Sequence, residues 1–438
     1  MEIVELSRNC GVAAGAGRER RVQAVTARAR RAAQLVVFRA AALFDGVSSA
    51  LMARPSVVVA NGVIVAVHGP AGPLPAGASV VDLSGLTLMP GLVDAHLHLC
   101  FDATSDPVGH LVETRDDLLR ERMAEAARRA LRAGVTTLRD LGDRGYLALD
   151  LRDGGLAGGS GPLPAIVAAG PPITTPGGHC HFLGGAASGE RDLRAAVRDR
   201  AERGVDVIKV MASGGNMTPG SLAHEPQFGA GALRAIVDEA HHHGLPVTAH
   251  AHSARSIADA VTAGVDGIEH ATFMTADGVD APETVIRAIA ARRVAVGWTV
   301  GRDPARPGTV PPQIASRMPA LIAARRRLYE SGAVLVPGSD AGVTPAKPHD
   351  VLRFAAEDMA AAGLSPAEIL QAMTSQAAQA CGLAHRKGRI AAGFDADILA
   401  IDGNPLQDLA AIREPRAVYV GGRPVLPARG SPSSNEER

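Results

Sequence analysis

The run PGLVDAHLHL, residues 90–99, decides how the rest of this chain is read. It is an apolar stretch entered through Pro-Gly, with Asp94, His96 and His98 at alternate positions. Side chains on a β-strand alternate with a period of two, so these three face one side. Two imidazoles on one side of an apolar strand suit a divalent metal that accepts nitrogen. They also suit two hydrogen-bonded histidines without metal, and the run alone leaves both open.

Working outward, the same texture returns seven times. VTTLRDLG, PAIVAAG, VDVIKVMASGG, LPVTAHAHS, DGIEHATFM, RVAVGWTV and VLVPGSDAG are short, β-rich and bounded by Gly or Pro. Amphipathic stretches such as DDLLRERMAEAARRALRAG lie between them, and strand–helix alternation signals parallel βαβ units. Eight repeats predict an α/β fold, a (β/α)8 TIM barrel over residues 91–386. Outside it, LVVFRAAALFDG and SVVVANGVIVAVHG before, and DADILAIDGNP and PRAVYVGGRPV after, are broken by Gly, Asn-Gly and Pro. They predict a small β-sandwich domain built from both chain ends, residues 34–90 and 387–426. Residues 1–33 are expected to be a flexible Arg-rich extension, and residues 427–438 a disordered tail.

Active sites of such barrels lie at the C-terminal ends of the strands. The fourth run carries Lys209 inside an apolar strand, which is costly unless the amine is paired, snorkels to the mouth or is chemically altered. A partly deprotonated amine can take up carbon dioxide as a carbamate, an anion able to bridge two metals. The fifth run ends in His250-Ala251-His252, the sixth in Glu269-His270, and the eighth in Ser339-Asp340. Each offers a metal-binding residue type at the catalytic face, and five strands doing so together is not expected by chance.

This set resembles the amidohydrolase superfamily, whose pattern falls here on His96, His98, Lys209, His250, His270 and Asp340. The opening PGLVDAHLHL and the closing KGRIAAGFDADILAIDGNP, residues 387–405, carry the same likeness over residues 35–426. The finer texture is similar to a branch with imidazolonepropionase-like proteins and Xaa-Pro and Xaa-Arg dipeptidases. The resemblance implies two divalent metal ions: His96, His98 and Asp340 on one, His250 and His270 on the other, and carboxylated Lys209 between them. Zn2+ is the expected metal, with Mn2+, Fe2+ or Co2+ accepted by the same ligands. It also implies Asp340 as the catalytic residue, shuttling a proton from the attacking water to the departing nitrogen. Asp94 is expected to orient an imidazole, and His252 to be a ligand, a support or a substrate contact.

The loops supply the candidate substrate contacts. These are His179 and His181 after the third strand, Asn216, His224 and Gln227 after the fourth, and Arg144 and Tyr146 after the second. The run His241-His242-His243 precedes Gly244 at a helix end and is read as surface.

Lys plus Arg and Asp plus Glu are both 45, so the net charge of zero argues against nucleic acid as a partner. No apolar run reaches the length of a membrane span, so no membrane association is expected. Cys10, Cys100, Cys180 and Cys381 are isolated, which suits free thiols and a cytoplasmic location. A small-molecule substrate and a homo-oligomer are the expected partners. The favoured function is hydrolysis of an amide C–N bond in a dipeptide or N-acyl amino acid, as in an Xaa-Pro dipeptidase. Hydrolysis of a cyclic amide or imidazolone, deamination, or a non-catalytic binding or assembly role are the alternatives.

Overall fold

The computed structural model describes residues 35–426 apart from 71, 73–74, 155–160 and 307–311. The extension 1–33, the tail 427–438 and Cys10 lie outside the described residues. Cys100, Cys180 and Cys381 are free and buried.

The N-terminal strands are β1 (Leu35–Leu43), β2 (Met52–Ala53), β3 (Ser56–Ala60), β4 (Val63–His68) and β5 (Ser79–Pro90). Eight more follow: β6 (Leu92–Leu97), β7 (Val135–Asp140), β8 (Ala165–Ala168), β9 (Ile208–Met211), β10 (Val247–Ser253), β11 (Gly267–Met274), β12 (Ala295–Thr299) and β13 (Val334–Gly338). The last three are β14 (Ile398–Ile401), β15 (Ala417–Val420) and β16 (Arg423–Leu426).

Each of the eight apolar runs contains one of β6 to β13. They form two parallel arcs, β6-β7-β8 and β13-β12-β11-β10-β9. Isolated parallel bridges join the arcs at both seams, Ile173 with Val210 and Leu97 with Ala341. The strands are buried along nearly their whole length, as a sheet covered on both faces requires. Helices cover the outside through apolar stripes. The helix Asp116–Arg132 buries Leu119, Met123, Ala127 and Ala130, one face at a three- to four-residue step.

Strands from both chain ends meet in a single eight-stranded sheet, ordered β16-β15-β14-β5-β1-β3-β4 with β2 on β1. The antiparallel pair β5–β14 makes the join. Its own core includes Phe38, Leu43, Ile64 and Tyr419, with the Phe38 and Tyr419 rings edge-on at 4.8 Å. Lys387 is buried between two carboxylates, 2.9 Å from Asp395 and 2.5 Å from Asp397. A buried lysine is tolerated there because its charge is compensated on two sides.

Candidate metal centre

At the C-terminal mouth of the parallel strands, two groups of three potential ligands form. His96, His98 and Asp340 make one, and His250, His252 and His270 the other; within each group the ligand atoms lie within 4.8 Å of one another. Nε2 of His96 and of His98 are each 3.7 Å from Asp340 Oδ1. The His96 and His270 rings, one from each group, are 5.1 Å apart. All five histidines line one cavity of about 440 Å³, together with Lys209 and Asp340.

Acceptor-only partners fix the tautomers of His96, His98 and His250. The carbonyl of Gly142 can only accept, so His98 donates to it through Nδ1 at 2.9 Å, leaving the Nε2 lone pair for a ligand. His96 likewise donates through Nδ1 to Glu269 Oε2 at 2.9 Å. His250 donates through Nε2 to the Gly214 carbonyl at 3.2 Å, which frees Nδ1. His252 Nδ1 lies 2.9 Å from Thr272 Oγ1, and His270 Nδ1 3.3 Å from Thr299 Oγ1. Burial pushes His96 and His252 down to about 4, and His250 and His270 well below the ordinary imidazole value. Near neutral pH these rings are therefore uncharged, the form that ligates metal.

Lys209 sits in β9, fully buried, and its Nζ has no hydrogen-bond partner among the described residues. Burial pushes its ammonium down to about 8, only partly opposed by Glu269 and Asp340. It is close enough to both groups to depress His96, His250 and His270. A buried amine without a partner is costly. An added carboxylate on that nitrogen would face neutral imidazoles that have no anion of their own. Asp340 is held below its ordinary value: burial raises it, but His96, His98 and Lys347 outweigh that. The donor set thus fits divalent cations in both groups.

Sequence periodicity misses one residue here. Glu269 and His270 are consecutive, so a regular strand would send them to opposite faces, yet both reach the site. His270, Ala271 and Phe273 have φ of 73°, 44° and 52°, and the β10–β11 register shifts across this stretch. Left-handed backbone is strained for non-glycine residues and concentrates at functional sites; Asp340, with φ 54°, shares it. The turn lets His270 join the second group while Glu269 holds His96 from beneath. Glu269 also accepts from Arg139 at 3.0 Å and Thr248 at 2.7 Å. Burial opposes its ionisation, but His96 and Arg139 prevail and keep the carboxyl well below its usual range. Gly297 makes this possible, since a Cβ there would lie 1.8 Å from Glu269 Oε2. The only sequence signal is the adjacency of an acid and a histidine.

Asp94 orients backbone rather than an imidazole, accepting from the Ser339 N–H at 2.9 Å. Burial pushes it up to about 6. Asp140 accepts from Leu99 and Gly142, tying down the turn whose carbonyl holds His98.

Of the candidate contacts, His179, Asn216 and His252 line the cavity. The His179 ring is 4.7 Å from that of His250, its Nδ1 has no partner among the described residues, and burial pushes it down to about 3. Gln227 supports this loop, accepting from the His179 N–H at 2.5 Å. His181, His224, Arg144 and Tyr146 are not among the residues lining the cavity. Arg144 donates to Asp116 and to the carbonyls of Leu111 and Thr114. Tyr146 donates to Asp199 at 2.6 Å, with Arg203 over its ring. His241 pairs with Asp266 at the exposed end of the helix Ala230–His242.

A sequence profile of the amidohydrolase family matches residues 87–425. Ochratoxinase of Aspergillus niger is 29% identical over 374 residues, covering 77% of this chain and 75% of that protein. Imidazolonepropionase of Deinococcus deserti is 27% identical over 388 residues, 81% of this chain and 87% of that one. Among solved structures, a Xaa-Pro dipeptidase with methionine in its active site superposes with a TM-score of 0.78 at 26% identity, covering 89% of this chain and 99% of that one.

Proposed function

Since this chain belongs to the amidohydrolase family and is a hydrolase acting on C–N bonds, we infer that it cleaves the amide bond of N-acyl amino acids or dipeptides. The two parallel arcs are read as one closed (β/α)8 barrel that presents the site at its mouth. One observation carries the metal assignment: two three-ligand groups share a cavity with an orphaned, fully buried lysine. Divalent ions held there, with Zn2+ the expected occupant, would supply Lewis acidity and acidify a water. His96, His98 and Asp340 would hold one ion, and His250 and His270 the other. Lys209, as its carbamate, would provide the shared anion. His252 stacks on His270 at 4.4 Å and either completes the second group or braces it.

Asp340 is ionised and faces both imidazoles of the first group, so it can take a proton from the attacking water and return it to the leaving nitrogen. His179 offers its unpartnered nitrogen to the substrate from the cavity wall.

Support for an amino-acid product comes from the dipeptidase neighbour, which holds methionine in its active site. The test is metal analysis of the purified protein, followed by hydrolysis assays on N-acyl amino acids, dipeptides and cyclic amides. About two metal ions per chain are expected, with release of free amino acid that stops on chelation and returns with Zn2+. Turnover confined to imidazolones or lactams would replace this substrate class with the ring-opening one.

A further inference from the structure

Three consecutive arginines, Arg325, Arg326 and Arg327, leave the helix Pro312–Glu330 in directions about 100° apart. Two have partners. Arg326 donates to Glu330 at 2.8 Å, and Arg327 to Glu283 and the Ala281 carbonyl, each at 2.9 Å. Arg325 turns into the cavity, its guanidinium carbon 5.2 Å from the centre of the Trp298 ring. Among the described residues no carboxylate forms an ion pair with it. Asp358 is the acid that acts on it, and Asp358 Oδ2 already accepts from the Gly301 N–H at 2.8 Å. Burial pushes Arg325 down to about 10, outweighing the opposing pull of Asp358.

The same helix face carries Ile314, Met318, Leu321 and Ile322, all lining the cavity. Counted back from Arg325 they lie at three, four, seven and eleven residues, one helical stripe. An apolar stripe therefore ends in a guanidinium, in the cavity that also holds the ligand cluster and is lined by Arg302, Lys347 and Asp358. Arg325 is also close enough to depress His252, so the cation stands near the second histidine group. A guanidinium is suited to a carboxylate, which it can engage with two parallel N–H donors.

We propose that Arg325 binds the free carboxylate of the substrate, making the cavity selective for amides whose amino-acid half has an apolar side chain and an unblocked carboxylate. This rests on the amide-hydrolase assignment above. The aromatic face of Trp298 presents the guanidinium, and the stripe packs against the apolar side chain.

Equilibrium binding tests this without turnover. Phenylalanine and phenylalaninamide are titrated calorimetrically into the metal-loaded protein, its Arg325→Met and Arg325→Lys variants. The unaltered protein is expected to favour phenylalanine by about 30-fold, the worth of a charge-assisted hydrogen bond. Arg325→Met should cut that preference below about threefold at an unchanged melting temperature, while Arg325→Lys keeps part of it. No preference in the unaltered protein, or an undiminished one in Arg325→Met, overturns the proposal. Hydrolysis assays report separately. A protein that selects phenylalanine through Arg325 yet releases no amino acid from any acylated form would sink the amide-hydrolase assignment and leave Arg325 as a carboxylate receptor.

Discussion

The two histidine groups at the mouth of the strands are built from the same residue type and held in different ways. In the first, His96 and His98 donate to strong acceptors at 2.9 Å, a carboxylate and a carbonyl, and Asp340 contributes an anion directly. Glu269 extends that anionic character below His96 and is itself anchored by Arg139 and Thr248. In the second, three imidazoles pack with ring centres 4.4 to 4.7 Å apart, backed by two hydroxyls and a carbonyl at 3.2 Å. It includes no carboxylate. A dication in the first group would meet negative charge already in place, whereas the second group contains no anion of its own and has the unpartnered Lys209 amine nearby. Residue type alone therefore does not rank two metal positions; the groups behind the ligands do.

Four experiments bear on that difference, in falling order of expected effect. Asp340→Asn should lower kcat by about 1,000-fold or more, since a general acid–base group is worth ~10²–10⁴, while metal analysis still finds most of the metal. Near-normal turnover would remove Asp340 from proton transfer. Lys209→Met should cost about 100-fold in kcat/KM and reduce the metal content from about two ions per chain to about one, the loss falling on the second group. Retention of both ions would show that the imidazoles hold their cation unaided, and the contrast between the groups would vanish. Glu269→Gln should weaken the tighter metal position by about 10- to 100-fold, the usual worth of a carboxylate behind a metal-binding histidine. An unchanged affinity in competitive chelation would mean that the first group owes nothing to the charge beneath it.

The smallest effect concerns acid. His96, His252 and the buried His349, whose Nε2 lies 3.0 Å from the His98 carbonyl, are held at about 4 and His179 at about 3 in the folded chain, against an ordinary value of 6.5. The unfolded chain then binds more protons, so the metal-free protein loses stability as pH falls from about 6.5 to 4. Asp94, raised to about 6, and Asp140 and Asp143, also raised by burial, act in the opposite sense, three carboxyls against these four imidazoles and the still more depressed His250 and His270. Thermal unfolding should show a lower Tm at pH 4.5 than at pH 7, by on the order of 2–4 °C for each kcal/mol lost. An equal or higher Tm in acid would show that the imidazoles are not kept neutral by the fold.

Apolar runs bounded by Gly and Pro placed each of β6 to β13, because a strand buried on both faces must be apolar almost throughout, whatever its neighbours. For the same reason Lys209, an amine inside such a run, stood out without coordinates. Period-two alternation also put His96 beside His98 and His250 beside His252. It failed at Glu269 and His270, where three left-handed residues bring consecutive side chains to one site. The expectation that Asp94 orients an imidazole also failed, because its carboxylate accepts from the Ser339 N–H, just past the end of β13 and 245 positions away. Arg144 and Tyr146 read as loop contacts because the sequence shows only that they follow a strand. Their partners, Asp116 and Asp199, turn them away from the cavity.

The sequence by itself determined which strands exist, which of them end in ligand-type residues, and which chemistry those residues can perform. These properties follow from local periodicity and from the chemical nature of each side chain. Only the tertiary structure decided which nitrogen of His96, His98 and His250 is free, which carboxylate stands behind His96, and that Arg325 rather than Arg326 or Arg327 faces the cavity. Those outcomes depend on distances between segments far apart in the chain, and a local pattern carries no information about distances across the fold.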